Sequence, residues 1–289
     1  MKRILNLREI GLLVVLLVLS SAVQAQYKGD TFKQVKASGA GTISLAYVET
    51  PGFVYKDQSG HLTGICIDIM KDFVDYVNKT KGVNLTAKYV GDGASFSGMF
   101  DKVKASSGGV FGLGNITITD ARKKVLKYSP PFITNNAILI TQPNVPTLTN
   151  LSNISTTFAG LTAYTAKGTL NEKRLLTIKQ QYFSAMKIAY VSSSLEAEEK
   201  VLQDPKSFSY LDLAFYLDAV AHRKPLKRHP VGDKSSEQFG FIMPMNSDWQ
   251  PLMEEFFSAN GGYTNSVSYK KILTKHLGDT GVKLLEAVQ

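Results

Sequence analysis

The chain has 289 residues, 44% hydrophobic and 20% charged, with 23 glycines, 10 prolines and one cysteine. This is the composition of a folded protein with one large or two ordinary domains, and it excludes a collagen, a coiled coil and a disordered tail. The 33 Lys and Arg against 24 Asp and Glu leave a formal charge of +9. That excess alone is too small to indicate a nucleic-acid partner, and a single cysteine forms neither an internal disulfide nor a cysteine metal cluster.

Residues 1–25 have the form of an export signal. Lys2, Arg3 and Arg8 precede an uninterrupted apolar run at 10–19, and the small residues Ser20, Ser21, Ala22 and Ala25 lead to a cleavage point after Ala25. Ten apolar residues span about 15 Å as a helix, half the ~30 Å hydrocarbon core, so removal is expected rather than anchoring. No cysteine follows for lipid attachment. The mature chain is expected to begin at Gln26. It loses three basic residues and Glu9 and so carries +7.

Residues 26–40 lack periodicity and are expected to be a loose lead-in. Alternation predicts a strand at 42–48. The apolar spacing at 65–79 predicts an amphipathic helix whose core stripe includes Cys66, Met70, Phe73 and Val77. Cys66 is therefore read as a small core hydrophobe rather than a nucleophile. A strand at 85–90, a helix at 96–105 and a strand at 110–116 continue the βα alternation of a mostly parallel sheet. After a strand at 137–141, two prolines among polar residues at 142–147 mark a boundary. A second run follows, with strands at 158–164, 187–191 and 207–211 and helices at 170–183, 194–202 and 213–221. The basic run from His222 to His229 is expected as a solvated loop. A strand at 239–243 and helices at 249–258 and 269–276 close the chain. The expected fold is two α/β lobes joined by strand-like crossovers near 140 and near 240, with a ligand at strand ends or between lobes.

Most catalytic signatures are absent. There is no phosphate-binding loop. Gly112 and Gly114 lack the third glycine of a dinucleotide fingerprint, the segment at Gly93 lacks the last glycine of a nucleophile elbow, and the four histidines fall in no metal-ligand spacing. No catalytic residue, metal or cofactor is therefore expected. Asn115-Ile116-Thr117-Ile118-Thr119-Asp120-Ala121-Arg122 carries more information. Alternation places Asn115, Thr117 and Thr119 on one side, and Thr119 can cap a helix starting at Asp120. A guanidinium in that first turn, beside hydroxyls and free N–H groups, makes a receptor for a planar carboxylate. The alternative is a surface base beside Lys123 and Lys124.

These residues resemble a hallmark of the bacterial extracellular solute-binding proteins of family 3, T-x-T-x-x-R followed by an aromatic-Ser-x-Pro-aromatic segment. Here the two parts are Thr117 to Arg122 and Tyr128-Ser129-Pro130-Pro131-Phe132. Pro51-Gly52-Phe53, Gly60 to Ile69, Gly168-Thr169, Asp212 at a strand end, and Phe239-Gly240-Phe241 match other family motifs in the same order, over about residues 40–280. The resemblance implies a type II two-lobe periplasmic binding-protein fold with mixed sheets, two hinge crossovers and a cleft between lobes. Its lobe 1 spans 40–140 and its lobe 2 spans 141–238, with 239–289 returning to lobe 1. It further implies an exported monomer in the periplasm that binds an amino acid or related small carboxylate and hands it to an ABC permease.

In that scheme Arg122, Thr117 and Asn115 hold the ligand carboxylate, Gly168 and Thr169 add donors, and Asp212 pairs with an ammonium or caps the helix at 213. Tyr47, Glu49 and Phe53 line the side-chain end, while Phe96 packs the lobe. The sequence departs from the family at Cys66, at Leu170, at Thr50 where relatives carry an aromatic clamp, and in a longer strand around Gly108-Gly109. Two other functions stay open on the same fold. One is a cyclohexadienyl dehydratase with Glu49 as acid, and the other is a ligand sensor.

Overall fold

The computed structural model describes residues 26–91 and 95–286; the expected export signal lies outside them. The lead-in is ordered, contrary to expectation. Lys28–Gly29 forms β1 and Phe32–Ser38 forms α1, with Thr31 and Gln34 closing a capping box. The helix is pinned from afar, because Asp248 accepts from the backbone N–H groups of Phe32 and Lys33 and Trp249 Nε1 donates to the Asp30 carbonyl. Such long-range bonds leave no local periodic signal.

Ala40–Tyr47 (β2) leads through a small hairpin, Tyr55–Lys56 (β3) and Leu62–Thr63 (β4), into Ile65–Lys81 (α2). Asn84–Tyr89 (β5), Phe96–Ala105 (α3), Ser107–Gly108 (β6), Val110–Leu113 (β7), the short Asp120–Lys123 (α4) and Lys127–Tyr128 (β8) complete this half. The expected strand at 110–116 thus stops at Leu113, since Gly114 takes a positive φ that turns the chain into the motif loop.

Ile133–Thr141 (β9) opens the second half. Ile154–Thr157 (α5), Thr162–Ala166 (β10), Leu170–Gln181 (α6), Lys187–Val191 (β11), Ser194–Gln203 (α7), Ser207–Asp212 (β12) and Leu213–Ala221 (α8) follow. Lys227–Arg228 (β13), Lys234–Phe239 (β14), Ile242–Met243 (β15), Gln250–Ser258 (α9) and Val267–Glu286 (α10) end the chain.

Two mixed sheets result. One is ordered β5-β2-β7-β15-β8, the other β11-β10-β12-β9-β13 with β14 also on β9. β2 runs parallel to β5 and β7, and β10 runs parallel to β11 and β12, whereas β9 is antiparallel to β12, β13 and β14. The chain leaves the first sheet at Tyr128, joins the second at Ile133 and returns by Ile242. All of β9 therefore pairs within the second sheet, ahead of the expected crossing near 140.

The core explains the order. Trp249 is buried among Phe32, Phe73 and Phe111, so the return segment fills the face between α2 and the first sheet. Cys66 is fully buried in this core, and burial drives its thiol pKa far up. Gly64 serves the same junction at φ 131°, where a Cβ would lie 2.2 Å from the Phe53 carbonyl oxygen. α10 packs on both α2 and α8, with its backbone broken at Gly278. Asp68 fastens it by accepting from Lys275 and His276, each at 2.7 Å, as well as from Lys71. Burial opposes the Asp68 charge, but these bonds outweigh it and hold the carboxyl at about 2.

The basic run is less free than expected. Lys224 pairs with Glu198 and Asp218, Lys227 donates to the Val145 carbonyl, Arg228 pairs with Asp233, and His229 is buried. No helix among the described residues is long and apolar enough to cross a membrane.

Candidate functional site

The two halves meet at a polar cleft lined by the motif loop, the loop after β2, the N-terminal turns of α6 and α7, the end of β12 and β14. Each element delivers its side chain for a local reason. Thr119 caps α4 by accepting from the Arg122 N–H, as expected. That turn aims the Arg122 guanidinium across the cleft. It donates to the Thr117 carbonyl at 3.0 Å on its own side and to the Gly168 carbonyl at 2.9 Å on the other.

The guanidinium lies over Phe96 at 5.0 Å and Phe100 at 5.6 Å. It makes no ion pair among the described residues. Burial lowers its basicity, opposed by Tyr128 and Asp212.

Asp212 ends β12 and is buried. It occupies the N-cap position of α8 without capping it, because Asn135 accepts from the Leu213 N–H instead. Its carboxylate is thereby left to the cleft. It accepts from Asn115 across the cleft and from Asn135 at 3.0 Å. Burial raises its pKa, countered by Asn115, Arg174, Asn135 and Asn171. Thr50 continues the chain by donating to Asn115 Oδ1 at 3.2 Å. Two polar links therefore cross between the lobes, Arg122 to Gly168 and Asn115 to Asp212. The residual cavity is about 30 Å³, the scale of one water.

The other candidates divide. Glu49, Asn115, Thr117 and Thr169 line the cleft with Arg122 and Asp212. Glu49 pairs with Lys56 at 3.4 Å. The Thr169 hydroxyl caps α6 and donates to the Ala166 carbonyl, and the Gly168 N–H is taken by Glu172. The donors that α6 offers are thus its unpaired first-turn N–H groups, at Leu170 and Asn171. Phe53 does not line the cleft. It is buried against Phe132 and Phe239, because the turn after Thr50 directs its ring into the core between α2 and the crossovers. Tyr47 is packed edge-on against Tyr89 and also stands outside the lining. Phe96, read as lobe packing, lines the cleft under Arg122.

Sequence reasoning missed a second charged group. Arg174 and Glu237 form a close, largely buried ion pair. Arg174 also donates to Asn171 at 2.5 Å, and Asn135 donates to Glu237 at 3.3 Å. Glu237 and Asn135 stand opposite each other on β14 and β9, so β9, through Asn135, holds the carboxylate that β14 brings to the cleft. The available signal was a charged residue in an otherwise polar crossover strand, which has no motif.

A model of the bacterial extracellular solute-binding proteins, family 3, matches residues 43–279. Among solved structures, the chain is similar to an ancestral arginine-binding protein bound to arginine, at 21% identity and TM-score 0.65 over 82% of this chain and 98% of that one. It is also similar to an arginine-, lysine-, histidine-binding protein from Geobacillus stearothermophilus, at 20% identity and TM-score 0.63 over 82% of this chain and 95% of that one. A third is a Salmonella typhimurium periplasmic binding protein of high arginine specificity, at 12% identity and TM-score 0.66 over 82% and 99%. No curated protein sequence matches significantly.

Proposed function

Because the chain belongs to the bacterial extracellular solute-binding proteins of family 3, we propose that it captures an amino acid or a related small carboxylate between its lobes, as a monomer in the periplasm, for delivery to an ABC permease. The observation that carries this reading is Arg122, a half-buried guanidinium that crosses the cleft to a carbonyl and has no carboxylate partner among the described residues. A ligand carboxylate offers that fork two parallel charge-assisted bonds, which neutral carbonyls cannot match. Asp212 is the counterpart for a ligand ammonium. The Arg174–Glu237 and Lys56–Glu49 pairs are each internally neutral, so Arg122 and Asp212 leave the cleft one net positive end and one net negative end, the pattern of a zwitterion. Amino-acid binding by the structural neighbours supports the same class.

The cleft has room for little more than a water, so capture requires the lobes to part and the cross-lobe links to be exchanged for ligand contacts. A ligand favours closure only by its differential affinity for the closed form. The test is a thermal-shift panel of amino acids, small carboxylates and prephenate on refolded protein freed of carried-over ligand. A shift with one amino-acid or carboxylate class supports capture. No shift with any class, or turnover of prephenate, refutes it.

A further inference from the structure

A second cavity, of about 390 Å³, shares Leu170 and Arg174 with the cleft and is otherwise lined by different residues. One face of α6 forms its wall. Leu170 and the nearly buried Ile178 stand there, and the exposed Tyr182 extends the apolar surface, while Tyr210 is buried behind it with Arg174 over its ring. Lys173 on α6 and Lys234 at the start of β14 bring two ammonium groups to the same space. No acidic side chain lines the cavity, and neither lysine forms an ion pair among the described residues. The Arg174 charge is already matched by Glu237, so the net local charge is that of the two lysines. The volume lies in the range of small-molecule sites, and an apolar body with few polar groups is their usual make-up.

We propose that this groove is a second binding site, separate from the interlobe cleft, for a small amphipathic anion. A flat apolar body would lie on Leu170, Ile178 and the Tyr182 ring, with a carboxylate or sulfonate between Lys173 and Lys234. Charge complementarity selects the anion, and the modest volume of the open groove between α6, the start of β14 and the loop carrying Leu151 selects a small molecule. The site does not depend on what the cleft binds.

The test uses 1-anilinonaphthalene-8-sulfonate, followed by its fluorescence, and the neutral analogue N-phenyl-1-naphthylamine. The sulfonate binds saturably at one site per chain, and the neutral analogue binds at least tenfold more weakly. Lys173→Gln with Lys234→Gln weakens the sulfonate at least tenfold. Thr177→Trp, which keeps both lysines and fills the groove, does the same; Thr177 is an exposed lining residue. Both variants retain the wild-type melting temperature and the cleft response, and Arg122→Ala leaves sulfonate binding unchanged. Equal binding of the neutral analogue, wild-type affinity in both groove variants, or loss of binding in Arg122→Ala would overturn the proposal. The last result places the probe in the cleft.

Discussion

Arg122→Ala removes the group on which the capture reading depends, and its effects on ligand and on fold separate. Two charge-assisted bonds to a carboxylate, at ~1.5–3 kcal/mol each, total about 3–6 kcal/mol. At 1.4 kcal/mol per factor of ten, the dissociation constant rises roughly 150- to 20,000-fold. A ligand at 100 times its wild-type Kd stabilises by ~2.7 kcal/mol, or about 5–10 °C in Tm for a chain of this size. At the same concentration, a variant weakened 200-fold retains only ~0.2 kcal/mol, less than about 1 °C.

The unliganded protein behaves otherwise. Arg122 loses two carbonyl bonds and its stacking on Phe96 and Phe100. The cost of burying its charge disappears with them, so unliganded Tm moves by no more than a few degrees. Arg122→Lys keeps the charge without the fork and recovers part of the affinity. Differential scanning fluorimetry with and without ligand measures all three proteins. A ligand shift in Arg122→Ala equal to wild type would refute the assignment.

Asp212→Asn lowers affinity for a ligand with an α-ammonium at least tenfold and leaves its deaminated analogue unaffected, as read by titration calorimetry; equal losses for both refute the pairing with ammonium. Glu237→Gln leaves Arg174 buried without its charge partner and costs about 3 kcal/mol in urea denaturation. The double variant Glu237→Met with Arg174→Met is less destabilised than either single change. Gly64→Ala forces a Cβ onto the Phe53 carbonyl at a left-handed φ and costs at least ~2 kcal/mol by the same assay.

His229 accepts from the Leu148 N–H at Nδ1, so Nε2 carries the proton and donates to Thr141. Burial, assisted by Lys227, holds its folded pKa at about 4. The unfolded state therefore takes up the proton first. Stability falls as pH drops from ~6.5 towards 4, by at most about 3 kcal/mol. Denaturation midpoints of His229→Gln lose that part of the pH dependence.

Much of the fold is legible in the chain because the α/β segments carry their own periodicity and caps. The helices at 96–105, 194–203 and 213–221 and the strand at 187–191 stand within a residue of their expected bounds, and Thr119 caps where its position suggests. The family motifs likewise point to Arg122, Asn115 and Asp212, and the structure brings all three to the lining of one cleft. The helix at 32–38 carries one local signal, the Thr31–Gln34 capping box, but no apolar periodicity, and its packing is held by Asp248, more than two hundred residues away in the chain. Phe53 left its expected place at the cleft, and Phe96 lines the cleft besides packing its lobe as expected, for a similar reason. Both are aromatic residues near the cleft in sequence, and only backbone direction decides that one ring enters the core while the other faces Arg122.

The sequence by itself determined the alternating elements, the caps and the chemical types present at the cleft, all of which are local properties of spacing and side chain. Tertiary structure alone decided which charges neutralise each other. Arg174 and Glu237 lie more than sixty residues apart, on a helix and a crossover strand, and become partners only when β14 pairs with β9. Arg122 keeps an uncompensated charge because the same fold brings a carbonyl, rather than a carboxylate, to meet it. Electrostatic pairing depends on distances in space, and long-range strand pairing sets them.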